Sequence, residues 1–333
     1  MDTQNTVTDL TANSSVLGNA NKPTAALSPS AVSEQVNEPS SIVSIGSSAM
    51  LTDLSIRVYS GRKKDKKATA LLNQQNRASK NAALVTKRLL GHCPELVDIQ
   101  KFAARVRNET HYALTLPWMD SGMRLIPTEL YLEHKAKIDS HKAEFDGMVA
   151  TFLNVYRTAI STARTELGYL FNMEDYDSLE KVAGKFEFRA VWMAIPEPGG
   201  VSDDFRLRIG QQAADQLRQH YHDAYGDAVN RSMVNLWQRL HEALTGLSDK
   251  LDTAGVVAGK RIHASKVDAL HDLVDMLKSL NVAQDPELEA MRIKLQQELR
   301  GVTPEALKED DAFAAHTKTV IDNAIKSLPS LDI

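Results

Sequence analysis

Ile138-Asp-Ser-His-Lys-Ala-Glu-Phe145-Asp-Gly-Met-Val149-Ala-Thr-Phe152-Leu-Asn-Val-Tyr156-Arg-Thr-Ala-Ile160-Ser-Thr-Ala163-Arg-Thr-Glu-Leu167-Gly-Tyr-Leu170 is the stretch that decides the fold class. Its apolar positions Ile138, Phe145, Val149, Phe152, Tyr156, Ile160, Ala163, Leu167 and Leu170 are separated by steps of 7, 4, 3, 4, 4, 3, 4 and 3. Steps of three and four return a side chain to one face of an α-helix, and their alternation makes a near-heptad seam. No proline stands between Thr128 and Met173, and the only glycines there are Gly147 and Gly168. A long helix starting at Pro127-Thr128 follows, with Phe145, Phe152 and Tyr156 in its core seam.

A second stripe runs through Leu217, Tyr221, Ala224, Ala228, Leu236, Leu240, Ala243, Leu247 and Leu251. It predicts another long helix, from about residue 202 or 205 to 251. Two such seams suit an antiparallel hairpin at coiled-coil-like angles, with the segment between them capping one end. Downstream of a loop at 253–262, helices are expected over 263–280, 286–300, 304–309 and 312–328, with Pro286 and Pro304 in first turns.

Upstream, Leu54, Ile56 and Val58 alternate with Ser55, Arg57 and Tyr59, the period of a half-buried strand over 50–59. Phe186, Phe188, Ala190 and Trp192 repeat that pattern, residues 123–126 read as a short strand, and 196–200 as a turn. A polar stretch to about residue 78 has helical propensity, and 82–90 reads as strand or helix. Pro94 opens a helix with Leu96, Ile99, Phe102, Ala103 and Val106 on one face, and 175–182 reads as a short helix. Trp118 and Trp192 flank turns and read as packing residues, with partner anchors the alternative. Residues 1–48 are rich in Ser, Thr, Asn, Ala and Pro and lack aromatics, so they are expected to be a disordered tail. The expected class is mainly α (α+β): a tail over 1–48, a strand-capped helical hairpin over 49–252 and a helical region over 253–333.

Composition bounds the function. Apolar residues make up 43% of the 333 and charged residues 25%, which is enough for a core without staples. The single cysteine, Cys93, forms no internal disulfide, which suits a reducing compartment. The first residues lack the basic and apolar regions of a secretory signal, and no run of about 18 apolar residues occurs, so a cytoplasmic protein without a membrane partner is expected.

Catalytic motifs do not assemble in the sequence. Gly255-Val-Val-Ala-Gly259-Lys-Arg261 has three residues between its glycines, where a Walker loop needs four, and Arg where that loop has Ser or Thr. His220 and His222 point to opposite helix faces. His134 and His141 are about 10 Å apart along a helix, too far to share one ion, and read as solvated surface. Cys93 follows His92, but adjacency in sequence is not the geometry of a Cys–His pair. The chain therefore reads as non-catalytic, with no cofactor and no metal.

Charge gives the strongest signal. Residues 55–92 hold ten basic side chains and one acidic, whereas 93–333 hold 28 basic and 37 acidic. Clustered cations release counterions from phosphate backbones. The candidate nucleic-acid-binding residues are Arg57, Tyr59, Arg62, Lys63, Lys64, Lys66, Lys67, Arg77, Lys80, Lys87 and Arg88, with Tyr59 placed to stack on a base. Gln74, Gln75 and Asn76 add hydrogen-bonding groups. The competing reading is a solvated lysine-rich loop bound by the acidic remainder of the chain.

Leu51-Thr-Asp-Leu-Ser-Ile-Arg-Val-Tyr-Ser-Gly-Arg-Lys-Lys64 resembles the opening of a phage and plasmid domain family of unknown function. Its members begin with an alternating strand, an aromatic residue and Ser-Gly-Arg-Lys-Lys, and continue into a long helical hairpin closed by an aromatic element. Tyr59 stands where that family has Trp, and 185–192 match only in general layout. The likeness spans about residues 50–250, a domain-sized stretch. The family's genes often lie near a MoxR-type AAA+ ATPase and a von Willebrand A-like protein. The resemblance thus implies a phage or mobile-element origin, the host cytoplasm, and an accessory role in a motor or remodelling module.

These readings converge on a non-catalytic accessory protein that binds nucleic acid, DNA before RNA, through residues 57–88. An adaptor for an AAA+ ATPase or another protein, and a structural or virion component, are the alternatives. Homo-oligomerisation stays open.

Overall fold

The alternating stretch after Ser48 becomes the strand on which the rest of the fold is hung. In the computed structural model, which describes residues 45–80, 82–119, 122–195, 210–254 and 264–329, it forms β1 (Ala49–Arg57). The tail to residue 44, the turn at 196–200, the start of the second long helix and the Gly-rich stretch 255–261 lie outside the described residues. One helical turn precedes β1, and Ile45 within it is buried, so the folded chain begins before the boundary expected at residue 48.

β1 pairs antiparallel with β5 (Arg124–Pro127) on one side and β6 (Glu187–Ala194) on the other, and β4 (Leu116–Pro117) extends the sheet beyond β5. The order is β4-β5-β1-β6. Leu51 stands opposite Leu125 and Met193, and Ile56 opposite Phe188. A separate two-stranded sheet joins β2 (Arg62–Lys64) to β3 (Thr86–Arg88), with helix α1 (Lys66–Gln75) between them in sequence.

The remaining helices fall where periodicity placed them. Helix α2 (Pro94–Arg105) runs on into a π-helical segment, Val106–Tyr112. The long helix α3 (Thr128–Leu167) is followed by α4 (Leu179–Ala183) and a second long helix, α5 (Gln211–Ala254). Helices α6 (Ala264–Leu280), α7 (Pro286–Glu298), α8 (Ala306–Glu309) and α9 (Asp311–Lys326) complete the chain. Local chemistry fixes several starts. Asp285 accepts hydrogen bonds from the Glu287 and Leu288 amides beside Pro286, and Asp310 accepts from the Phe313 amide. No helix among the described residues is long and apolar enough to cross a membrane.

The class is mainly α with a small antiparallel sheet, as the periodicities indicate. The pairing of the long helices differs from expectation, because each is the spine of its own core. Phe145, Phe152, Tyr156 and Ala163 of α3 pack with Ile99 and Phe102 of α2, with Ile56 and with Phe188. Leu236, Leu240, Leu244 and Leu247 of α5 pack with Leu270 and Leu277 of α6, Leu295 of α7 and Ile321 of α9. A seam states which face of a helix is buried, not what buries it, and here α2 and the sheet occupy the α3 seam. β1 joins the two cores: Ala49 and Leu51 belong to the α5 core and Ile56 to the α3 core. All described residues lie in one compact unit, 39–333, and the division expected at 252–253 falls within the α5 core.

Candidate nucleic-acid interface

The basic segment folds as a strand, a helix and a strand. Gly61 makes the turn out of β1 at φ +59°, a conformation that costs an L-residue about 1–2 kcal/mol. A Cβ there would also lie 2.8 Å from Leu96 Cδ2. Asp65 caps α1 by accepting from the Ala68 amide at 2.9 Å, and its own amide donates to the Val85 carbonyl at 2.9 Å. The buried Asn73 side chain donates to the Lys80 and Ala83 carbonyls, tying the return segment to α1. The Leu89 amide donates to the Gly61 carbonyl, which closes the unit.

Strand alternation then sorts the cations. Lys63 lies opposite Lys87, Arg62 opposite Arg88, and Lys64 opposite Thr86, so Lys63 and Lys87 share one face and Arg62, Lys64 and Arg88 the other. The first face is spent internally. Lys87, nearly buried, sits 2.5 Å from Asp175 and 3.3 Å from Asp65, and Lys63 sits 2.9 Å from Asp175. Burial works to lower the Lys87 pKa, but hydrogen bonds to Asp175 and Asp65 outweigh it and hold the pKa above the usual lysine value. For Asp175 burial pulls upward, and the Lys87 and Lys63 ammoniums bring the carboxyl below its usual range.

The second face is open. Arg62, Lys64 and Arg88 on it are exposed, as are Lys66 and Lys67 at the start of α1 and Arg77 and Lys80 after its end, and no ion pair to these seven occurs among the described residues. Gln74, Gln75 and Asn76 are exposed beside them.

Three of the expected contact residues stand elsewhere. Tyr59 is 5% exposed, with Lys185 Nζ 4.6 Å from its ring centroid, so the ring presents no face to a base. Burial, and then Asp177, push its hydroxyl pKa up. Lys87 is committed to two carboxylates, as above. Arg57 is exposed but bridges to Glu187, its cross-strand neighbour, at 2.8 Å. The internal-pairing reading therefore holds for Arg57, Lys63 and Lys87, and not for the outer face.

Two further clusters bear on chemistry. The π-helical segment turns Thr110 and His111 toward α3, where they meet His141 and His134, and the solvated surface expected for His134 is a buried site. His134 is fully buried: its Nδ1 accepts from the Trp192 indole N–H at 3.2 Å, and its Nε2 meets His111 Nδ1 at 3.2 Å. An indole nitrogen only donates, so His134 carries its proton on Nε2 and donates to His111. Burial first, then His134 and Arg124, depress the His111 pKa to about 3. Burial, then Lys137, depresses that of His134 to about 4. Nearby, the half-buried Arg124 and Arg239 both donate to the Thr115 carbonyl, close to the C-terminal end of that helix.

The second cluster is a cleft of about 260 Å³ lined by Leu90, Cys93, Glu95, Thr158, Thr162 and Glu166, among others. The Cys93 thiol donates to Glu95 at 3.3 Å, and burial pushes its pKa up. His92 pairs with Glu166 at 2.6 Å rather than with the thiol, so no activated Cys–His pair assembles.

Comparison with models of known protein families, with curated proteins and with solved structures gives no match, so the likeness noted for residues 51–64 rests on those residues alone.

Proposed function

We propose that this chain binds nucleic acid through the outer face of β2–β3 and the first turn of α1. One observation carries the reading. The strand pair divides its cations, spending Lys63 and Lys87 on half-buried carboxylates while Arg62, Lys64 and Arg88 point outward, followed in sequence by the exposed Lys66 and Lys67, without acidic partners among the described residues. Arg62 directly opposes Arg88, and like charges opposed across a strand pair cost stability. Phosphates beside the two guanidiniums would relieve that repulsion by neutralising charge, and the release of the polyanion's own counterions adds to the binding.

The test is binding of a labelled duplex followed by anisotropy against salt. If five cations engage phosphates, the log–log salt slope approaches about −4 to −5. Changing Arg62, Lys64 and Arg88 to Ala should make it shallower by about 3. No binding to duplex or single strand at about 50 mM salt defeats the proposal. The phage or mobile-element setting and the AAA+ partner are part of this proposal only through the resemblance.

A second reading, a protein-interaction adaptor, draws on Leu71 and Leu84, which are 56% and 64% exposed on the same unit. Co-purification from the native host tests it, and a chain that runs alone at every concentration counts against it.

A further inference from the structure

Two arginines meet at the end of the helix formed by α2 and its π-helical continuation. Arg124, the first residue of β5, donates from Nε to the Thr115 hydroxyl at 2.6 Å and from Nη2 to the Thr115 carbonyl at 2.9 Å. Arg239, in the middle of α5, donates from Nη2 to the same carbonyl at 2.7 Å and from Nη1 to the Ala113 carbonyl at 3.4 Å. The shared acceptor makes the two guanidiniums neighbours. The centroid of the part-exposed Tyr112 ring lies 4.7 Å from the Arg124 guanidinium carbon.

These contacts satisfy the carbonyls but not the charge. Among the described residues neither arginine has a carboxylate within ion-pair distance. Glu242, three residues along α5 from Arg239, is exposed and accepts instead from Gln238 at 3.1 Å. The helix end supplies about half a negative charge, so well over one positive charge stays uncompensated. Both side chains are half-buried, where unpaired charge is costly. Burial first, then Arg124, pull the Arg239 pKa down to about 10, and burial lowers that of Arg124. Capping a helix end is satisfied by one cation and gives no reason for a second beside it. Each guanidinium also carries more N–H donors than these bonds consume, and each keeps part of its surface in water.

We propose that Arg124 and Arg239 form a binding site for a phosphate group, free or carried by a small molecule. The unused N–H edges of two neighbouring guanidiniums suit the oxygens of a tetrahedral oxyanion. A phosphate group carries about −1.5 to −2 at neutral pH, which matches the charge that the helix end leaves over, whereas a monocarboxylate supplies less. The site is built from β5 and α5 and shares no residue with the cations of β2–β3. It therefore stands or falls apart from the nucleic-acid reading.

The experiment is calorimetric titration of the full chain with inorganic phosphate, glycerol phosphate and acetate, at one ionic strength set with chloride. At least one of the two phosphates should bind saturably, with a Kd below about 1 mM, and acetate about 10-fold or more weakly than it. The tighter of the two phosphates tells whether the free ion or an ester is the ligand. Arg124→Gln and Arg239→Gln should each weaken phosphate about 10- to 100-fold. Arg239→Lys keeps the charge without the planar fork and should fall between wild type and Arg239→Gln. The Arg62→Ala, Lys64→Ala, Arg88→Ala triple variant should bind phosphate like wild type, whatever it does to nucleic acid. Circular dichroism checks that each variant is folded. Wild type that gives no saturable heat with either phosphate overturns the proposal without recourse to any variant. So does phosphate affinity that survives in both glutamine variants, or that is lost in the triple variant and thus belongs to the outer face of β2–β3. Acetate bound as tightly as phosphate overturns the assignment to a phosphate group.

Discussion

Lowering the pH from 7 to 5 should strip this protein of a large part of its stability through two histidines. His111 and His134 are buried, hydrogen-bonded to each other, and neutral, with pKa values depressed to about 3 and about 4. The geometry explains the depression. A proton added to His134 Nδ1 would face the Trp192 N–H, and one added to His111 Nδ1 would face the His134 N–H, donor against donor. Arg124 on one side and Lys137 on the other oppose a further positive charge.

In the unfolded chain both histidines titrate near pH 6.5. Below that pH the unfolded state binds protons that the native state refuses, so stability present above 6.5 is lost as the pH falls toward 4. The limiting loss is about 2.7 kcal/mol per pH unit for the pair, and about 4 kcal/mol between pH 7 and 5. Against a typical total of about 5–15 kcal/mol that is a large fraction. Urea unfolding followed by circular dichroism at pH 7, 6 and 5 measures it. The control is a double variant, His111→Gln with His134→Gln, whose absolute stability is lower at pH 7 but whose pH slope over this range should nearly vanish. Equal slopes in the two proteins, or a wild type more stable at pH 5 than at pH 7, would refute the reasoning.

The other expectations concern the two cores and the cationic unit. Phe152→Ala removes a fully buried ring from the α3 core and should cost about 3–5 kcal/mol in urea unfolding. Gly61→Ala meets both an unfavourable φ and the Leu96 side chain, so a loss of about 1–3 kcal/mol is expected by the same assay. Lys87→Met and Lys64→Met lie on neighbouring strands but should differ sharply. The first leaves the half-buried Asp175 with Lys63 as its remaining ammonium partner and should cost about 1–3 kcal/mol, and the second should stay within about 0.5 kcal/mol of wild type.

Much of the fold is legible because burial leaves a periodic trace. Leu54 and Ile56 announce a strand, and the α3 seam fixes forty residues of helix from Thr128 to Leu167. Partner choice leaves no such trace, so two apolar stripes suggested a hairpin where α2, the sheet and the C-terminal helices in fact take the contacts. His134 was within reach of the sequence: it stands four residues before Ile138, on the seam, and a polar residue at a seam position calls for a buried partner. That partner, His111, was not within reach, since only the π-helical turn brings it to α3.

The cationic unit shows the same limit with more at stake. Its alternation was readable, and it separates Lys63 from Arg62 and Lys64. What decides which face turns inward is Asp175, which lies 88 residues beyond Lys87 in a loop with no pattern of its own. Once Asp175 claims Lys63 and Lys87, two consequences follow together. The other face of β2–β3 is left with uncompensated charge, and the loop that carries Asp175 is fastened to the inner face of that unit. Arg62, Lys64 and Arg88 belong to neither core. Changes at these three positions should therefore test the proposed contact without passing through the fold, whereas a change at Lys87 tests the fold.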